Sequence, residues 1–383
     1  MFPVKEGSLI VRVILFSFGY IEYVTQLGKA LSKFEEVLLM VPKYKSKYKR
    51  KWTEQIIRTV KEDLNIRYYY QPRIRYPINL VGVFRIIKHI NSFNPDIIHL
   101  QGDHPWFNLT LPLLKRKYPL VVTVHDITWH VGDKQSTKIP SFVHKLVVRY
   151  ADQVIVHGKK LKELLMEKDN KSPGSIQVIP HGEFSFYEKF SKRTVKEENH
   201  LVLFFGRIWE YKGLRYLIEA EPLISEKVPT VKIVIAGRGE DFRKYQEMMV
   251  HKEKFIVHNK HIPNEMVAEL FRKASIVVLP YIEASQSGIV PLAYAFKKPV
   301  VATNVGSIPE VVEDGRTGYI VPPKNPEKLA EAIIDLLRDK EKRREMGENG
   351  YKKTKNELSW DNIAAKTIQV YKKALGDRRR NSH

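Results

Sequence analysis

Four histidines in the first half of this sequence stand at or near the ends of short apolar segments. They are His99, His125, His157 and His181, and small or acidic residues follow each of them closely, at Gly102, Asp126, Gly158 and Gly182. Ligands of parallel α/β sheets bind beyond the carboxyl ends of the strands, and imidazole can exchange a proton near neutral pH. A single histidine of this kind is more often structural. Four at one sheet edge indicate that at least one takes part in chemistry.

A second set of candidate residues lies in the segment 277–310. Four small or polar residues, 285–288 (Ser-Gln-Ser-Gly), separate the apolar run 276–279 from an amphipathic helical pattern that ends before Pro299. Free backbone amides and the positive end of the helix dipole meet at such a helix start, which favours a phosphate group. The segment therefore predicts a phosphate site, and the alternative is an ordinary capped turn between a strand and a helix.

The net charge points to an anionic partner. The 383 residues include 65 lysines and arginines against 43 acidic residues, which gives a net charge of +22. The densest basic run, 43–51, contains six of these cations and is followed by Trp52. Such a run suits an acidic membrane surface or another anion. The alternative is a solvated basic loop.

The composition also excludes some classes of site. The chain has no cysteine, so disulfides, thiolate metal sites and cysteine nucleophiles are excluded together. Its longest apolar runs are well short of the ~20 residues of a spanning helix, and the apolar N-terminal stretch is interrupted by Arg12 and is typical of a core strand rather than a signal peptide. We therefore expect a cytoplasmic protein, with peripheral attachment to the cytoplasmic face of a membrane as an option.

The elements that must position these residues alternate along the chain. Apolar runs of strand length are separated by helical patterns, which predicts parallel sheets with helices on both faces. The predicted strands are 10–16, 37–41, 66–70, 95–100, 120–124, 154–157 and 176–180, then 201–205, 231–236, 255–258, 276–279 and 299–303. Gly19 lies in the first strand-to-helix turn, where no G-x-G-x-x-G pattern occurs, so a nicotinamide-binding fingerprint is absent.

A polar, charged segment at 188–199 separates the two halves and is the predicted linker. We expect an N-terminal domain at 1–190 and a C-terminal domain at 191–357. A last helix at 358–376 is expected to cross back to the first domain. The fold class is therefore α/β, with two Rossmann-like domains facing each other across a cleft.

Several motifs resemble those of the retaining GT-B glycosyltransferases that use nucleotide-diphosphate sugars, the group 1 family. The resemblance rests on 204–207 (FFGR), 211–214 (YKGL), 235–239 (IAGRG), 299–310 (PVVATNVGSIPE) and 314–318 (DGRTG). It covers nearly the whole chain and is strongest in the second half. It implies the GT-B fold and transfer of a sugar from a nucleotide-diphosphate sugar to an acceptor hydroxyl.

The resemblance also implies roles for particular residues on the donor side. Arg207 and Lys212 match the cations that contact the donor diphosphate, and their spacing lets both reach one point from a loop beyond a strand. Three further positions are expected to contact the diphosphate through their backbone: Gly19, Ser287 and Gly288. Four positions are expected to contact the donor nucleotide or sugar: Gln286, Glu283, Gly237 and Ile262.

One departure from the family pattern concerns a pair of glutamates seven residues apart around the helix after residue 288. Depending on the counting point, their places fall at Ser285 and Ala293 or at Ala284 and Leu292, and neither alternative supplies a carboxylate. Glu283 lies one or two residues too early. How the donor ribose is held, and which donor is selected, are therefore open at this stage.

His125 and Asp126 match the family position near the acceptor and the transferred sugar. The expected role of His125 is polar contact with sugar or acceptor hydroxyls, with Asp126 orienting it. No enzyme nucleophile is visible, which fits retention by same-face attack assisted by the departing phosphate. The resemblance implies no metal and no cofactor besides the donor, although His125, His130 and Asp133 offer an alternative reading as a metal cluster.

Three functions compete at this stage. The first is a glycosyltransferase acting on a glycan or lipid-linked acceptor. The second is another GT-B enzyme, a sugar-nucleotide epimerase or, less well suited to this chain length, a phosphorylase. The third is a non-catalytic basic protein that binds a polyanion or an acidic membrane on the same fold, and binding of nucleic acid is the weakest of these expectations.

Overall fold

The computed structural model describes residues 10–60, 64–70, 80–126, 141–190 and 194–380. The chain divides into two compact units. The described residues of the first unit are 10–126, 141–180 and 360–380, with gaps as above, and those of the second are 181–190 and 194–359. No helix in the described ranges is long and apolar enough to cross a membrane.

The first unit contains a parallel sheet of seven strands. They are β1 Arg12–Ser17, β2 Glu36–Pro42, β3 Asn65–Tyr69, β4 Ile97–Gln101, β5 Leu120–Val124, β6 Gln153–Val156 and β7 Ile176–Val178. Their order is β3-β2-β1-β4-β5-β6-β7, and every neighbouring pair is parallel. The direction of winding reverses between β1 and β4, and ligands of doubly wound sheets bind at this position.

Helices connect these strands. They are α1 Ile21–Leu31, α2 Lys47–Arg58, α3 Leu80–Phe93, α4 Pro105–Asn108, α5 Leu111–Lys117, α6 Ser141–Tyr150 and α7 Lys159–Asp169, and the last helix of the chain, α14 Trp360–Arg380, belongs to the same unit. The central strands are buried throughout because their Val, Ile and Leu side chains are covered on both faces. Helix α14 packs on α1, and the hydroxyl of its Tyr371 lies 2.7 Å from Nδ1 of His99 on β4.

The second unit contains a parallel sheet of six strands. They are β8 Leu201–Phe205, β9 Lys232–Gly237, β10 Phe255–Asn259, β11 Ile276–Leu279, β12 Val300–Thr303 and β13 Gly318–Val321, in the order β10-β9-β8-β11-β12-β13. The helices are α8 Leu214–Lys227, α9 Arg243–Met248, α10 Asn264–Lys273, α11 Ile289–Ala295, α12 Pro326–Arg338 and α13 Lys340–Lys355. The hydrophobic core of this unit lies between the sheet and α8 and α12, which also pack on each other.

All twelve predicted strands are present within a residue or two, and both sheets are parallel, so the predicted α/β class is confirmed. The sequence prediction missed β13 and α13. Strand β13 has four residues at the edge of the sheet and two of them are half-exposed, so its apolar pattern is weak. Helix α13 is rich in charged residues and gives little amphipathic periodicity.

The division between the units falls between 180 and 181, whereas the sequence prediction placed it at 190. Residues 181–190 belong to the second unit because their short 3-10 segment, Ser185–Phe190, packs against α10 and α11. In addition, the amide of Glu183 donates to the carbonyl of Leu358 (3.0 Å). At the other end, the chain returns to the first unit at Trp360, where α14 begins.

The basic run 43–51 is only partly a loop, because residues 47–51 form the first turns of a helix. Helix α2 begins at Lys47, and the side chain of Ser46 accepts a hydrogen bond from the amide of Lys49. All six lysines and arginines of the run are exposed, whereas the following Trp52 is half-buried.

Candidate functional site

In the second unit, the ends of β8 and β9 are joined by a close backbone crossing. Gly206 has φ +127° and Gly237 has φ +156°, and a Cβ at Gly237 would lie 1.6 Å from the carbonyl oxygen of Gly206. The amide of Gly206 donates to Ala236 (3.0 Å), and that of Ile208 donates to Arg238 (3.2 Å). Gly237 is therefore needed for packing, and the crossing holds the intervening Arg207 at the strand end with its side chain exposed.

Lys212 is held by a second close contact. It ends a 3-10 turn, Glu210–Lys212, and Gly213 follows with φ +64°. A Cβ at Gly213 would lie 1.8 Å from the carbonyl oxygen of Pro280, so only glycine lets this turn approach the end of β11. Nζ of Lys212 lies 3.6 Å from the ring centroid of Tyr281, a distance typical of a cation–π contact.

The charges of Arg207 and Lys212 both bear on Tyr281. Burial raises the pKa of Tyr281, and the positive charge of Arg207 acts in the opposite direction, while Lys212 covers the ring. The expectation that both cations can reach one point is therefore compatible with the geometry. A contact with a diphosphate stays a prediction.

The loop between β11 and α11 lies beside this pair. The hydroxyl oxygens of Tyr281 and Ser287 are 3.4 Å apart, and Oγ of Ser287 accepts from the amide of Ile289 (3.3 Å) at the start of α11. Gly288 directly precedes this helix, which has two turns and no side-chain cap. The backbone at 287–288 is thus placed near Tyr281, the ring that Lys212 covers.

The residues expected near the nucleotide or sugar are in different settings. The amide of Glu283 approaches the carbonyl of Tyr211 (3.4 Å), next to Lys212 in the chain. Oε1 of Gln286 is buried and has no hydrogen-bond partner among the described residues. Ile262 is 6% exposed, in the connection between β10 and α10, where it contributes to the hydrophobic interior.

The two positions where the second glutamate of the family pattern would fall are buried in this structure. Leu292 and Ala293 are 4% and 0% exposed on α11. An ionised glutamate there would be buried unless the helix moved. In this chain the two positions belong to the core.

One neighbour of the loop was assigned to the wrong set by sequence reasoning. His181 was grouped with the histidines of the first sheet because it follows β7, but it belongs to the second unit. Its Nε2 lies 3.7 Å from where a Cβ of Gly288 would be, and its Nδ1 donates to the carbonyl of Gly182 (2.8 Å). No local signal separates it from the others, because the chain leaves the first unit at this residue.

In the first unit, the turn after β1 approaches His125. Tyr20 has φ +51°, and its ring stacks on the imidazole of His125 with centroids 3.8 Å apart. Gly102, with φ +83°, also approaches the Tyr20 ring, since a Cβ there would lie 3.5 Å from Cε2 of Tyr20. By contrast, no described atom lies within 4 Å of a Cβ at Gly19, so packing alone does not require glycine there.

His125 is 3% exposed, and both of its ring nitrogens have neighbours. Nε2 lies 3.1 Å from Oε1 of Gln101, and Nδ1 lies 3.1 Å from Nε2 of His157. Nδ1 of His157 in turn lies 2.9 Å from the carbonyl oxygen of Ile179. Sequence reasoning selected His125 but missed Gln101 and the contact with His157, since residues 24 and 32 positions away are brought together only by the sheet.

Two other groups complete this edge of the sheet. Asp126 is exposed, and its charge raises the pKa of His157, but burial is the larger effect and lowers that pKa to about 4. His99 is fully buried between Thr123 and Tyr371, and burial lowers its pKa to about 3. His99 therefore joins α14 to the sheet as a neutral, structural residue.

The described residues contain no group of three or more His, Asp and Glu side chains that could hold a metal ion. His130 and Asp133, which the sequence offered as metal ligands with His125, lie outside the described residues.

Comparison with known proteins identifies the family. Residues 186–353 match the model of the glycosyl transferases group 1, and residues 20–182 match that of the glycosyltransferase family 4. Together the two models match most of the chain, which is therefore a glycosyltransferase. Its two matches correspond closely to the second and first units, and the GT-B glycosyltransferase resemblance noted in the sequence is confirmed.

A curated relative and two solved structures are consistent with this membership. An uncharacterized glycosyltransferase of Methanocaldococcus jannaschii is 34% identical over 238 residues, which are 58% of this chain and 60% of that protein. A sucrose-phosphate synthase from Thermosynechococcus elongatus has a TM-score of 0.73 at 18% identity, covering 96% of this chain and all of that one. Anabaena HepE, solved in complex with UDP, has a TM-score of 0.67 at 16% identity, over 94% and 100% of the two chains. These structural likenesses establish the GT-B fold.

Proposed function

We propose that this glycosyltransferase moves a sugar from a nucleotide-diphosphate sugar to a hydroxyl group of an acceptor, with retention of configuration and without a bound metal. The observation that carries the proposal is the position of Lys212 over Tyr281, beside the 287–288 backbone, together with the charge of Arg207, which also acts on that tyrosine. Two cations at one point suit a diphosphate, and the UDP bound by HepE is a compound of this class. The donor sugar and base are left open.

The chemistry assigns a task to these cations. When the bond between the sugar C1 and the phosphate oxygen breaks, negative charge develops on the departing diphosphate, and fixed cations stabilise it. The acceptor oxygen forms its bond to C1 on the same face, and the proton of the acceptor hydroxyl passes to the departing phosphate. No enzyme nucleophile is needed in this scheme.

His125 and Asp126 would act on the sugar or acceptor side. His125 presents an imidazole edge that can hydrogen-bond a hydroxyl, once Gln101 and the stacked Tyr20 leave room. Asp126 is exposed beside it and supplies a carboxylate at the same strand end.

The donor proposal is tested by binding of nucleoside diphosphates. A thermal-shift screen with UDP, GDP and ADP first selects the best ligand, and calorimetry then compares it with the corresponding nucleoside. We expect Arg207→Ala and Lys212→Ala each to cost roughly 1.5–3 kcal/mol of diphosphate binding, and to leave nucleoside binding almost unchanged. Equal losses for nucleoside and diphosphate would place these cations away from the phosphates.

Arg215→Ala is the matched control. Arg215 is an exposed arginine of the same unit that pairs with Glu219 on α8 (3.0 Å). We expect this variant to bind the diphosphate like the wild type. A loss as large as that of Arg207→Ala would mean that general positive charge, rather than the two named side chains, binds the ligand.

The exposed basic run on and before α2 supports a second part of the proposal, peripheral attachment to acidic lipid near a glycan or lipid-linked acceptor. Six exposed cations lie within 43–51, and the acidic Glu54 that follows is 4.0 Å from Arg50. Each cation near an anionic surface contributes roughly 1 kcal/mol at best, so attachment should be reversible and salt-sensitive.

Vesicle co-sedimentation tests this attachment. We expect binding to acidic vesicles at low salt, no binding to neutral vesicles, and loss of binding when the five cations from Lys45 to Lys51 are changed to glutamine. The control changes five exposed cations of α12 and α13 in the same way: Arg338, Lys340, Arg344, Lys352 and Lys355. If both variants lost vesicle binding equally, net charge rather than the run 43–51 would explain the binding. If the wild type did not bind acidic vesicles, the proposed attachment would be excluded.

A further inference from the structure

A row of buried polar groups runs along the carboxyl ends of β4, β5, β6 and β7 in the first unit. It consists of the Gln101 amide, the imidazoles of His125 and His157, and the carbonyl oxygen of Ile179, with successive distances of 3.1, 3.1 and 2.9 Å. Because each contact needs one donor and one acceptor, the row restricts where its hydrogens can be.

The hydrogen of His157 is determined first. Burial lowers the pKa of this histidine to about 4, so near neutral pH it is neutral and carries one hydrogen. The Ile179 carbonyl can only accept, so that hydrogen lies on Nδ1 of His157. Nε2 of His157 is then a hydrogen-bond acceptor facing Nδ1 of His125.

This acceptor decides the state of His125. Nδ1 of His125 must carry a hydrogen in order to donate to His157. Nε2 of His125 is left as the atom that gains or loses a proton, and it faces the amide of Gln101. Tyr20 and Tyr23 are the other titratable side chains of α1 and its preceding turn that pack on this ring, and Asp126 follows it in sequence.

Gln101 can serve both states of Nε2. In the present arrangement its oxygen faces His125, which suits a protonated Nε2, and its own Nε2 is buried without a partner in the described structure. A half-turn of the amide would let that nitrogen donate to an unprotonated Nε2 of His125. Because either end of the amide can face His125, the uncharged Gln101 can pair with Nε2 of His125 in both protonation states.

We propose that His157 is a positioning residue that keeps the hydrogen of neutral His125 on Nδ1, so that Nε2 carries the lone pair and is the atom offered to the sugar or acceptor once the Gln101 amide moves aside. The last part of this statement rests on the proposed glycosyl transfer. The assignment of the hydrogen does not, and it can be measured without any substrate.

Nitrogen-15 NMR of histidine-labelled full-length protein measures that assignment. Near pH 7.5, we expect a protonated Nδ1 and an unprotonated Nε2 for His125, whose signals are identified by their loss in His125→Gln. His157→Gln, whose side-chain oxygen can still accept, should retain this state. His157→Leu removes the acceptor that faces Nδ1 of His125, so His125 should then be a mixture of its Nδ1-protonated and Nε2-protonated tautomers. A wild-type His125 with its hydrogen on Nε2 would overturn the proposal, even if the leucine variant failed to fold.

Kinetics then separate the positioning role from the proposed function. We expect His157→Leu to lower kcat about tenfold or more with donor KM within about twofold, and His157→Gln to restore most of the loss. His99→Leu is the control, since it also removes a buried histidine at this edge but contacts Thr123 and Tyr371 instead of His125. Normal kcat in a His157→Leu protein with mixed His125 tautomers would refute the positioning role. Absence of sugar transfer in the wild type would refute the proposed function and leave the hydrogen assignment intact.

Discussion

The two sheet edges that carry the candidate residues are built by opposite means. The edge of the first unit uses buried imidazole and amide groups, which pair with one another and with tyrosine rings. The edge of the second unit uses the cations Arg207 and Lys212, held around Tyr281 by glycine turns whose backbones nearly touch.

The difference indicates a division of tasks. Imidazole and amide groups can position hydroxyl groups without binding anions strongly, whereas two cations attract the negative charge of a diphosphate. It also implies that the two edges respond differently to acid, to backbone changes and to loss of a side chain. The following experiments test this comparison, beginning with the largest expected effect.

Acid should destabilise the first unit most. The pKa values of His99 and His157 are about 3 and about 4 in the folded protein, against about 6.5 in an unfolded chain. The unfolded state therefore binds more protons below pH 6.5, and stability falls as the pH falls. For two histidines, the decrease from pH 7 to pH 5 is about 4 kcal/mol.

Urea unfolding at pH 7, 6 and 5, followed by hydrogen exchange of β4–β6 and of β8–β9, measures this decrease in each unit. His99→Gln should reduce the pH dependence of the first unit's stability by about 1 kcal/mol per pH unit, averaged between pH 7 and pH 5. An unchanged slope in that variant would mean that His99 is protonated in the folded state. If acid destabilised both units equally, the proposed difference between the two sheet edges would be wrong.

A methyl group at Gly213 should destabilise the second unit. Its φ of +64° disfavours alanine, and a Cβ would lie 1.8 Å from the Pro280 carbonyl oxygen, so Gly213→Ala should cost about 3 kcal/mol or more. Gly19→Ala is the matched change in the first unit, and it should cost less than about 0.5 kcal/mol because the Cβ meets no described atom. Urea unfolding compares the two, and similar stability losses would contradict the role given to the close turns.

Removal of His125 should separate turnover from donor binding. We expect His125→Ala to lower kcat about tenfold or more while the affinity for the nucleoside diphosphate stays within about twofold, since the two cations predicted to contact the diphosphate, Arg207 and Lys212, lie in the other unit. Steady-state kinetics and calorimetry on the same protein give both quantities. Unchanged turnover would remove His125 from the candidate site.

Exposed ion pairs should contribute least in either unit. Lys33, which follows the end of α1, pairs with Asp361 of α14 at 2.5 Å, and both side chains are about half-exposed. Because solvent screens such pairs, Lys33→Ala should cost less than about 0.5 kcal/mol in urea unfolding. A loss above 1 kcal/mol would show that this pair, and not only the buried His99–Tyr371 contact, holds α14 to the first unit.

Much of the fold could be predicted from the sequence because its signals are local. Short Val- and Ile-rich runs predicted twelve strands, since a strand covered on both faces has a continuous apolar pattern. The motifs around Arg207 and Lys212 were equally visible, since each lies within a few residues of a strand end. Strand β13 was missed where the pattern is short and half-exposed.

The sequence by itself therefore determined the α/β class, the two parallel sheets and the residue types at their carboxyl ends. Only the tertiary structure decided that His181 lies beside Gly288, that Lys212 covers Tyr281 and that His157 contacts His125. The contact of His157 with His125 joins residues 32 positions apart, and that of His181 with Gly288 joins residues 107 positions apart. The packing of distant strands and turns brings these residues together. The state of a histidine depends on which donors and acceptors that packing brings to its ring, and local sequence carries no record of them.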